Sequence, residues 1–278
     1  MMKRALILLC LTISCGLPLS APAFDAIVAF GDSLTDTGNV PAEPVLHYQG
    51  RWSNGPLWIE YLSQQLGFPY NASNNFAHSG GTTGGALGET GRYVPVGDVS
   101  QTLFVVWAGG NDFLQQYQKN WFSESSWLKL TTDGANNISN AVVNLQAKGA
   151  RYILVPNTVD VTTIPLLNKL PGFIRSYLQS KVKMFNNKLS RSITALQATY
   201  PNVTIYRCDV YLDEHTIIKN YKKFGFTKAG IDALADPRLL DKSFTGPGAN
   251  YVFWDPIHPT SKAHGVIAGY FYAAIGSP

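Results

Sequence analysis

The chain has 278 residues, of which 45% are hydrophobic, and a formal net charge of +4 at pH 7. This length is enough to bury one substantial core in a single domain. Its charged residues form no basic stripe, which argues against a nucleic-acid-binding protein. The three cysteines, Cys10, Cys15 and Cys208, are too few and too scattered for a disulfide framework, a zinc site or a haem attachment.

The first 23 residues have the composition of a secretory signal peptide. A basic pair, Lys3-Arg4, precedes an apolar run from Ala5 to Ile13, and the segment ends in Ala21-Pro22-Ala23. The run is too short to cross a bilayer, and its small-x-small end is typical of a cleavage site. We expect cleavage after Ala23 and a secreted or periplasmic location.

Cleavage there leaves residues 24–278, which we predict to be one domain without a transmembrane segment. Lipidation at Cys15 is an alternative fate for the leading segment, but the residues before it, Thr12-Ile13-Ser14, fit a lipoprotein signal poorly.

The remaining chain alternates short apolar runs with helical patterns. Continuous apolarity indicates strands buried on both faces, and strand–helix alternation indicates a mainly parallel sheet between helices. We therefore predict an α/β fold, a three-layer α/β/α sandwich. The predicted strands are Ala26–Phe30, a weak one around Phe76, Phe104–Ala108, Tyr152–Val155 and Val203–Tyr206, and the predicted helices are Leu57–Leu66, about Thr131–Lys148, Phe173–Thr199 and one that Pro259-Thr260 begins.

Three stretches fit no regular element in this pattern: Thr35–Asn54, the glycine-rich Gly80–Ser100, and Gly225–Asn250. Loops of this length in a compact domain are often functional.

A serine stands directly after the first buried strand, in Phe30-Gly31-Asp32-Ser33-Leu34. Ligands of open α/β sheets bind outside the carboxyl ends of the strands, so Ser33 is placed to be a nucleophile if a base accepts its proton. Taken alone, Ser33 is better explained as a residue that caps the following turn, since serines after strands are common.

A base with an orienting acid is offered by Asp255-Pro256-Ile257-His258-Pro259. Each proline biases the residue before it towards an extended backbone, which makes a stiff turn on which the Asp255 carboxylate can meet the His258 ring. A carboxylate on Nδ1 fixes the tautomer and leaves Nε2 free to accept the serine proton. An ordinary Asp-Pro turn beside a surface histidine is the alternative, although His258 alone among the histidines has an acid in such an arrangement.

Donors for a developing oxyanion are offered by two other segments. Asn111 follows the second long strand in Gly109-Gly110-Asn111-Asp112, and backbone N–H groups are available around His78-Ser79-Gly80-Gly81. Acyl transfer requires such donors, but Gly-Asn turns are common and either segment alone is weak.

Taken together, these segments resemble the GDSL, or SGNH, hydrolase family, in which four blocks supply a serine, a glycine, an asparagine and a histidine. Phe30–Asn39 is similar to the first block over nearly its full length, and Asp255 with His258 matches the Asp-x-x-His of the last. Arg51–Gly55 and Val155–Asn157 are similar to segments of the bacterial lipolytic branch. The resemblance extends from Ala26 to about His264.

The resemblance implies a flavodoxin-like three-layer fold, a Ser33–His258–Asp255 triad, and an oxyanion hole formed by Ser33, Gly80 and Asn111. Ser79 stands where many relatives have a glycine, so Gly81 is an alternative to Gly80 as the donor. No cofactor and no metal are expected.

Three neighbouring polar residues receive structural roles. Asp32 and Ser33 point to opposite sides of an extended segment, so Asp32 is expected to tie the turn to nearby backbone instead of orienting His258. Asp112 is interpreted in the same way, and His78 as a packing or rim residue. The sequence contains no Gly-x-Ser-x-Gly elbow, dinucleotide fingerprint or P-loop.

The predicted function is a carboxylic ester hydrolase of the lysophospholipase A or phospholipase A kind, with possible transfer of the acyl group to alcohols. We expect it to act as a monomer on a lipid or other ester, with contact to a membrane surface. An apolar cluster after Asn111 either lines a rim for an acyl chain or covers a helix pair: Phe113, Leu114, Tyr117, Trp121, Phe122, Trp127 and Leu128. A carbohydrate acetylesterase and an inert secreted binding module are the alternatives.

Overall fold

The structure, a computed structural model, describes residues 24–276, so the predicted signal peptide at residues 1–23 lies outside the described residues. No helix in the described range is long and apolar enough to cross a membrane. In chain order the strands and helices of that range are β1 (Ala26–Gly31), α1 (Trp58–Leu66), α2 (Thr83–Arg92), β2 (Thr102–Trp107), α3 (Gly110–Asn120), α4 (Glu124–Ala147), β3 (Tyr152–Pro156), α5 (Gly172–Thr199), β4 (Thr204–Cys208), α6 (Val210–Lys219), β5 (Lys228–Asp232), β6 (Tyr251–Phe253) and α7 (Ser261–Gly276).

The central sheet has the order β1-β2-β3-β4, and all its strand pairs are parallel. Between β1 and β2, Ala26 lies opposite Thr102 and Gly31 opposite Trp107. A separate two-stranded parallel sheet, β5-β6, lies later in the chain. The predicted α/β class with a parallel central sheet is therefore confirmed.

Both faces of the central sheet are covered by apolar packing, which explains the continuous apolar runs of its strands. Successive strand residues point to opposite faces. Accordingly, Val28 and Phe30 join one core with residues of α4 and α5, whereas Ile27 and Ala29 join a second core with residues of α1 and α7. A strand with one face in water would have alternated apolar and polar residues.

The weakly predicted strand around Phe76 is not a regular strand. Its chain nevertheless runs beside the outer edge of β1, where Phe76 N–H donates to Ala29 O at 2.8 Å and His78 N–H donates to Gly31 O at 3.1 Å. This pairing ends next to the carboxyl end of β1. It therefore places the Ser79-Gly80-Gly81 segment close to Ser33.

The expectation that Gly80–Ser100 and Gly225–Asn250 lack regular elements is wrong, because they contain α2 and β5. Glycine lowers the helix propensity of α2, but contacts with α4 compensate. Asn144 Nδ2 lies 3.3 Å from Thr90 Oγ1, and Lys148 Nζ donates to Thr90 O at 2.6 Å and to Tyr93 O at 2.6 Å. Helix α4 also starts earlier than predicted, at Glu124, where Ser123 caps it.

Candidate active site

Ser33 stands in a tight turn directly after β1. The backbone oxygen of Asp32 accepts hydrogen bonds from the N–H groups of Thr35 at 3.0 Å and Asp36 at 2.9 Å, which closes the turn. The Ser33 side chain is buried and points at His258, with 2.8 Å between Ser33 Oγ and His258 Nε2. The turn therefore brings the candidate nucleophile to a base 225 residues later in the chain.

The turn from Asp255 to His258 has the geometry that its two prolines predict. Asp255 Oδ1 accepts hydrogen bonds from the backbone N–H groups of Ile257 and His258, each at 2.8 Å. His258 Nδ1 lies 2.7 Å from Asp255 Oδ2 and 2.9 Å from Oδ1. The carboxylate thus binds both the backbone and the ring of His258, which fixes the direction of the imidazole.

Asp255 has to stay ionised to play this role. Burial alone would raise its pKa, but the neighbouring His258, the hydrogen bond from His47 and the backbone N–H groups outweigh burial and hold the pKa of Asp255 well below its usual value. An ionised carboxylate only accepts hydrogen bonds, so His258 Nδ1 carries the proton. His258 Nε2 is then free to accept the proton of Ser33.

The structure distinguishes the two glycines that the sequence left open. Gly81 N–H donates to His78 O at 2.8 Å, and a Cβ atom on Gly81 would lie 2.7 Å from Gly31 O. Gly80 has a positive φ of 80°, and its N–H has no hydrogen-bond partner within residues 24–276. Gly80 is therefore the residue whose N–H is available to a ligand.

Asn111 lies in the first turn of α3 and lines the same cavity as Ser33. Its Nδ2 atom donates one hydrogen to Gly81 O at 3.0 Å, which leaves the second amide hydrogen available. The preceding Gly109 has φ 140°, and a Cβ atom there would lie 2.1 Å from Thr158 Oγ1. Only glycine fits at this point, which explains Gly109, the first residue of the Gly-Gly pair before Asn111.

A network of polar residues, which sequence reasoning missed, fastens the first block to the glycine segment. Asp36 Oδ2 accepts hydrogen bonds from Ser79 N at 2.7 Å and Ser79 Oγ at 2.9 Å. Asn39 Nδ2 donates to Asn75 O and Ala77 O, both at 2.8 Å. These contacts hold the residue before Gly80 against the turn that carries Ser33. The Thr-Asp-Thr-Gly-Asn sequence in the block of Ser33 was a visible sign of this network. It did not indicate which distant residues these side chains bind.

His47 is a second missed residue, and it touches the same carboxylate as His258. His47 Nε2 lies 3.1 Å from Asp255 Oδ2, and both side chains are buried. The Trp52 ring packs against both histidines, with its centroid 4.9 Å from that of His47 and 5.1 Å from that of His258. No local pattern indicates this contact, because 208 residues separate His47 from Asp255.

The segment Arg51–Gly55 supports the histidine turn from its other end. Ser53 Oγ donates to Pro259 O at 3.0 Å, and Asn54 Oδ1 accepts from Ser261 N–H at 2.8 Å. The resemblance of this segment to the lipolytic branch therefore corresponds to a physical role, since it fixes the chain directly after His258.

The remaining polar residues near the site have the structural contacts that were predicted. Asp32 Oδ1 accepts from Leu34 N–H at 3.0 Å, and burial raises the pKa of Asp32 to about 7. Asp112 accepts two hydrogen bonds from Thr83, at 2.9 and 2.7 Å, and so joins α3 to α2. His78 is partly exposed, and its Nδ1 lies 3.6 Å from Glu89 Oε1.

A cavity opens beside Ser33, Asn111 and His258 and extends between α6 and α7. The cavity has a volume of about 80 Å³. Its wall is mostly aliphatic and includes Val159, Val161, Ile164, Val210, Ile217 and Ile267.

Three acids, Asp32, Asp213 and Glu214, also contribute to the cavity wall. Burial raises the pKa of Glu214 to about 8 and also raises the pKa of Asp213. Glu214 is therefore mostly protonated at pH 7, and the cavity wall beside it carries less charge than the sequence suggests.

The apolar cluster after Asn111 mostly covers helices. Phe113 and Trp127 are fully buried in the core and stack on one another, whereas Phe122 and Leu128 are exposed. Of the cluster, Leu114 lines the cavity. The aliphatic cavity wall instead comes mostly from the segment after β3 and from α6 and α7, which sequence reasoning did not assign.

Comparison with known proteins agrees with this geometry. Residues 27–271 match the family described as GDSL-like Lipase/Acylhydrolase. The chain is 25% identical to the phosphatidylcholine-sterol acyltransferase of Aeromonas hydrophila, over 90% of this chain and 89% of that protein. Two solved structures share the fold at 16% sequence identity. One is a lipase from a goat rumen metagenome, with a TM-score of 0.53 over 90% of this chain and 97% of the other. The second is an acetylxylan esterase of Geobacillus stearothermophilus, with a TM-score of 0.50 over 94% of this chain and 98% of the other.

The protein is therefore a hydrolase with an α/β fold, as indicated by its parallel sheet, the site at the carboxyl ends of the strands and this family match. The chain belongs to the GDSL-like lipase/acylhydrolase family, as the four blocks predicted. It is accordingly a carboxylic ester hydrolase.

Proposed function

We propose that the protein is a secreted lipolytic esterase that removes fatty-acyl chains from lysophospholipids and related lipid esters. The observation that favours a fatty-acyl substrate is the aliphatic cavity, which begins at Ser33 and His258. An acyl chain placed in it would bring its carbonyl carbon to Ser33 and bury its methylene groups against Val and Ile side chains. Export is supported by the composition of residues 1–23.

In the proposed first step, Ser33 attacks the ester. His258 Nε2, 2.8 Å from Ser33 Oγ, accepts the hydroxyl proton as Oγ bonds to the carbonyl carbon. Asp255 stabilises the imidazolium that forms. The carbonyl oxygen becomes an oxyanion, which accepts hydrogen bonds from Ser33 N–H, Gly80 N–H and the free amide hydrogen of Asn111.

Collapse of this intermediate breaks the bond to the leaving alcohol, which takes the proton from His258. The acyl group is then held on Ser33 Oγ. Water, deprotonated by His258, attacks the acyl-enzyme, and the fatty acid leaves as Ser33 regains its proton. An alcohol in place of water would give a new ester, which is the reaction class named for the Aeromonas relative.

Acyl-chain length is the property that tests this proposal. We expect purified protein to hydrolyse long-chain lysophosphatidylcholine and long-chain synthetic esters with a higher kcat/KM than the matched acetate esters. Val159 lines the cavity, so Val159→Phe should lower kcat/KM for long chains by about 10-fold or more and leave acetate esters nearly unchanged. The matched control is Val96→Phe, because Val96 is 91% exposed and lies outside the cavity.

A preference for acetate esters, unaffected by Val159→Phe, would contradict the lipid assignment and favour the carbohydrate acetylesterase. Absence of turnover on every ester, together with failure of an organophosphonate to label Ser33, would contradict catalysis itself and favour the binding module.

A further inference from the structure

Two histidines share one carboxylate in this structure. Asp255 Oδ2 accepts from His258 Nδ1 at 2.7 Å and lies 3.1 Å from His47 Nε2. Asp255 Oδ1 takes three other contacts, from the N–H groups of Ile257 and His258 and from His258 Nδ1. The lone pairs of the buried carboxylate are thus filled from both sides, and His47 is the contact that comes from a distant part of the chain.

The chemistry of its partners determines where the His47 ring carries a proton. Asp255 Oδ2 belongs to an ionised carboxylate and only accepts, so His47 Nε2 has to donate. His47 Nδ1 lies 3.2 Å from the backbone oxygen of Glu43, which also only accepts. The ring therefore donates to Asp255 both as the neutral Nε2–H tautomer and as the imidazolium.

The loop around His47 holds the ring in place. His47 N–H donates to Glu43 O at 3.0 Å, and the Trp52 ring packs against the His47 ring. Leu46 O accepts from Trp254 Nε1 at 2.7 Å, which fastens this loop to the residue before Asp255. His47 is thus held against Asp255 by backbone, aromatic and indole contacts together.

We propose that His47 is a positioning residue of the esterase, which holds the Asp255 carboxylate in the orientation that His258 needs. This inference rests on the proposed catalytic roles of Ser33, His258 and Asp255. A donor on Oδ2 opposes rotation of the carboxylate away from His258 Nδ1. It also takes a share of the negative charge of Asp255, so without His47 the whole charge of that carboxylate would act on His258.

Titratable groups on other elements also act on this arrangement, because Asp32 in the turn after β1 and His264 in α7 interact electrostatically with His258. Asp255 and His258 face His47 from the turn after β6, and Asp232 at the end of β5 interacts electrostatically with Asp255. The Glu43 carboxylate accepts hydrogen bonds from backbone N–H groups of its own loop, at 2.9 and 3.0 Å. An effect of His47 on the pH profile would therefore pass through Asp255.

Three substitutions at one position separate the contact with Asp255 from the rest of the ring. His47→Gln keeps an amide donor near the place of Nε2, whereas His47→Asn places its amide near Nδ1, towards Glu43. His47→Leu removes both donors. We expect His47→Leu and His47→Asn to lower kcat on an ester about 10-fold or more with little change in KM, and His47→Gln to recover most of that loss.

Two readouts distinguish positioning from support of the fold. In His47→Leu, the acid limb of the kcat/KM profile should move to higher pH, because the whole charge of Asp255 then acts on His258. The same shift should be visible in the NMR titration of the His258 ring, which needs no turnover and so tests His47 even if the esterase proposal fails. As a control, His215→Gln, at a histidine on a different aspartate, should leave both readouts unchanged.

Equal losses of kcat in all three variants, without a shift of the acid limb of the pH profile, would overturn the proposal. A wild-type kcat in His47→Leu would also overturn it. If His47→Leu does not fold, the comparison of Gln with Asn decides, since a role confined to packing predicts no advantage for Gln.

Discussion

The molecule contains two Asp–His pairs that look alike and differ in what surrounds them. In the site pair, Asp255 binds His258 through Nδ1, and His258 Nε2 faces Ser33 Oγ at 2.8 Å. In the remote pair, Asp160 binds His215 through Nε2 at 2.8 Å. Both aspartates are buried, but the His215 side chain is 39% exposed, and within residues 24–276 no hydroxyl lies within hydrogen-bonding distance of its Nδ1.

The two pairs differ in the partner of the second ring nitrogen, and a histidine base in acyl transfer needs a hydroxyl to deprotonate. Asp160 also accepts from Thr162 N–H at 3.0 Å, Thr162 Oγ1 at 2.7 Å and Gln179 Nε2 at 2.9 Å, so its carboxylate joins the segment after β3 to α5 and α6. His215 is one more donor in that junction. The site pair differs because its free nitrogen meets a serine at the mouth of an apolar cavity.

The largest expected effect is the difference in activity between two variants in which the histidine of each pair is replaced by alanine. His258→Ala should lower kcat/KM for an ester by about 10⁴-fold or more, because Ser33 loses its base, and Ser33→Ala should do the same. His215→Ala should change kcat/KM by less than about threefold and lower only the stability, because Asp160 loses a donor. Steady-state kinetics on one ester, with thermal unfolding as the check on folding, measures both.

The comparison would fail if His215→Ala abolished turnover in a folded protein, or if Ser33→Ala kept near-native activity. Reaction of wild-type protein with an organophosphonate, followed by mass spectrometry, should place the label on Ser33.

A second prediction concerns the charge that develops next to the site pair. Asn111→Ala removes one of three proposed oxyanion donors and should lower kcat by about 100- to 1000-fold. Asn144→Ala is the matched control, since it removes an amide that donates to Thr90 Oγ1 at 3.3 Å, away from the cavity. A loss confined to KM would indicate that Asn111 only anchors Gly81 and does not act on the transition state.

The fold was predictable where a local pattern reports burial. The runs at Ala26–Phe30 and Tyr152–Val155 are apolar at every position because the sheet is covered on both faces. Helix α2 was not predictable, since its glycines oppose a helix and the contacts from α4 that stabilise it come from more than 50 residues away. Strand β6 is only three residues long, too short for any period to be visible.

The site, like the fold, was predictable only where a local sequence pattern indicates a contact. Prolines on both sides of the turn made the Asp255–His258 contact a local property, and the structure places both residues with Ser33. His47 and Asp36 were missed because their partners are distant in sequence, and an isolated histidine or aspartate carries no sign of its partner. The Asp160–His215 pair was invisible for the same reason, with 55 residues between its members.

The smallest expected effect concerns Glu214, which lies between the two pairs. Its Oε2 accepts from Asp160 N–H at 2.8 Å, and the residue also lines the cavity that starts at Ser33. Burial raises the pKa of Glu214 from its ordinary value of 4.5 to about 8. The folded state therefore keeps a proton that the unfolded state releases, so the stability that this proton contributes is complete below about pH 4.5 and is lost as pH rises through 8.

Glu214→Gln removes that dependence while it keeps an oxygen for Asp160 N–H. The variant should be nearly as stable as the wild type at pH 5 and more stable at pH 8.5, measured as the difference in thermal unfolding midpoint at each pH. Asp133→Asn, at an exposed acid paired with Lys129, should change the midpoint by the same amount at both pH values. If Glu214→Gln behaved like Asp133→Asn, Glu214 would be charged in the folded protein, and the cavity beside Ser33 would have an anionic wall that favours a cationic head group over an acyl chain. The result therefore bears on the stability of the remote pair and on what the site pair can bind.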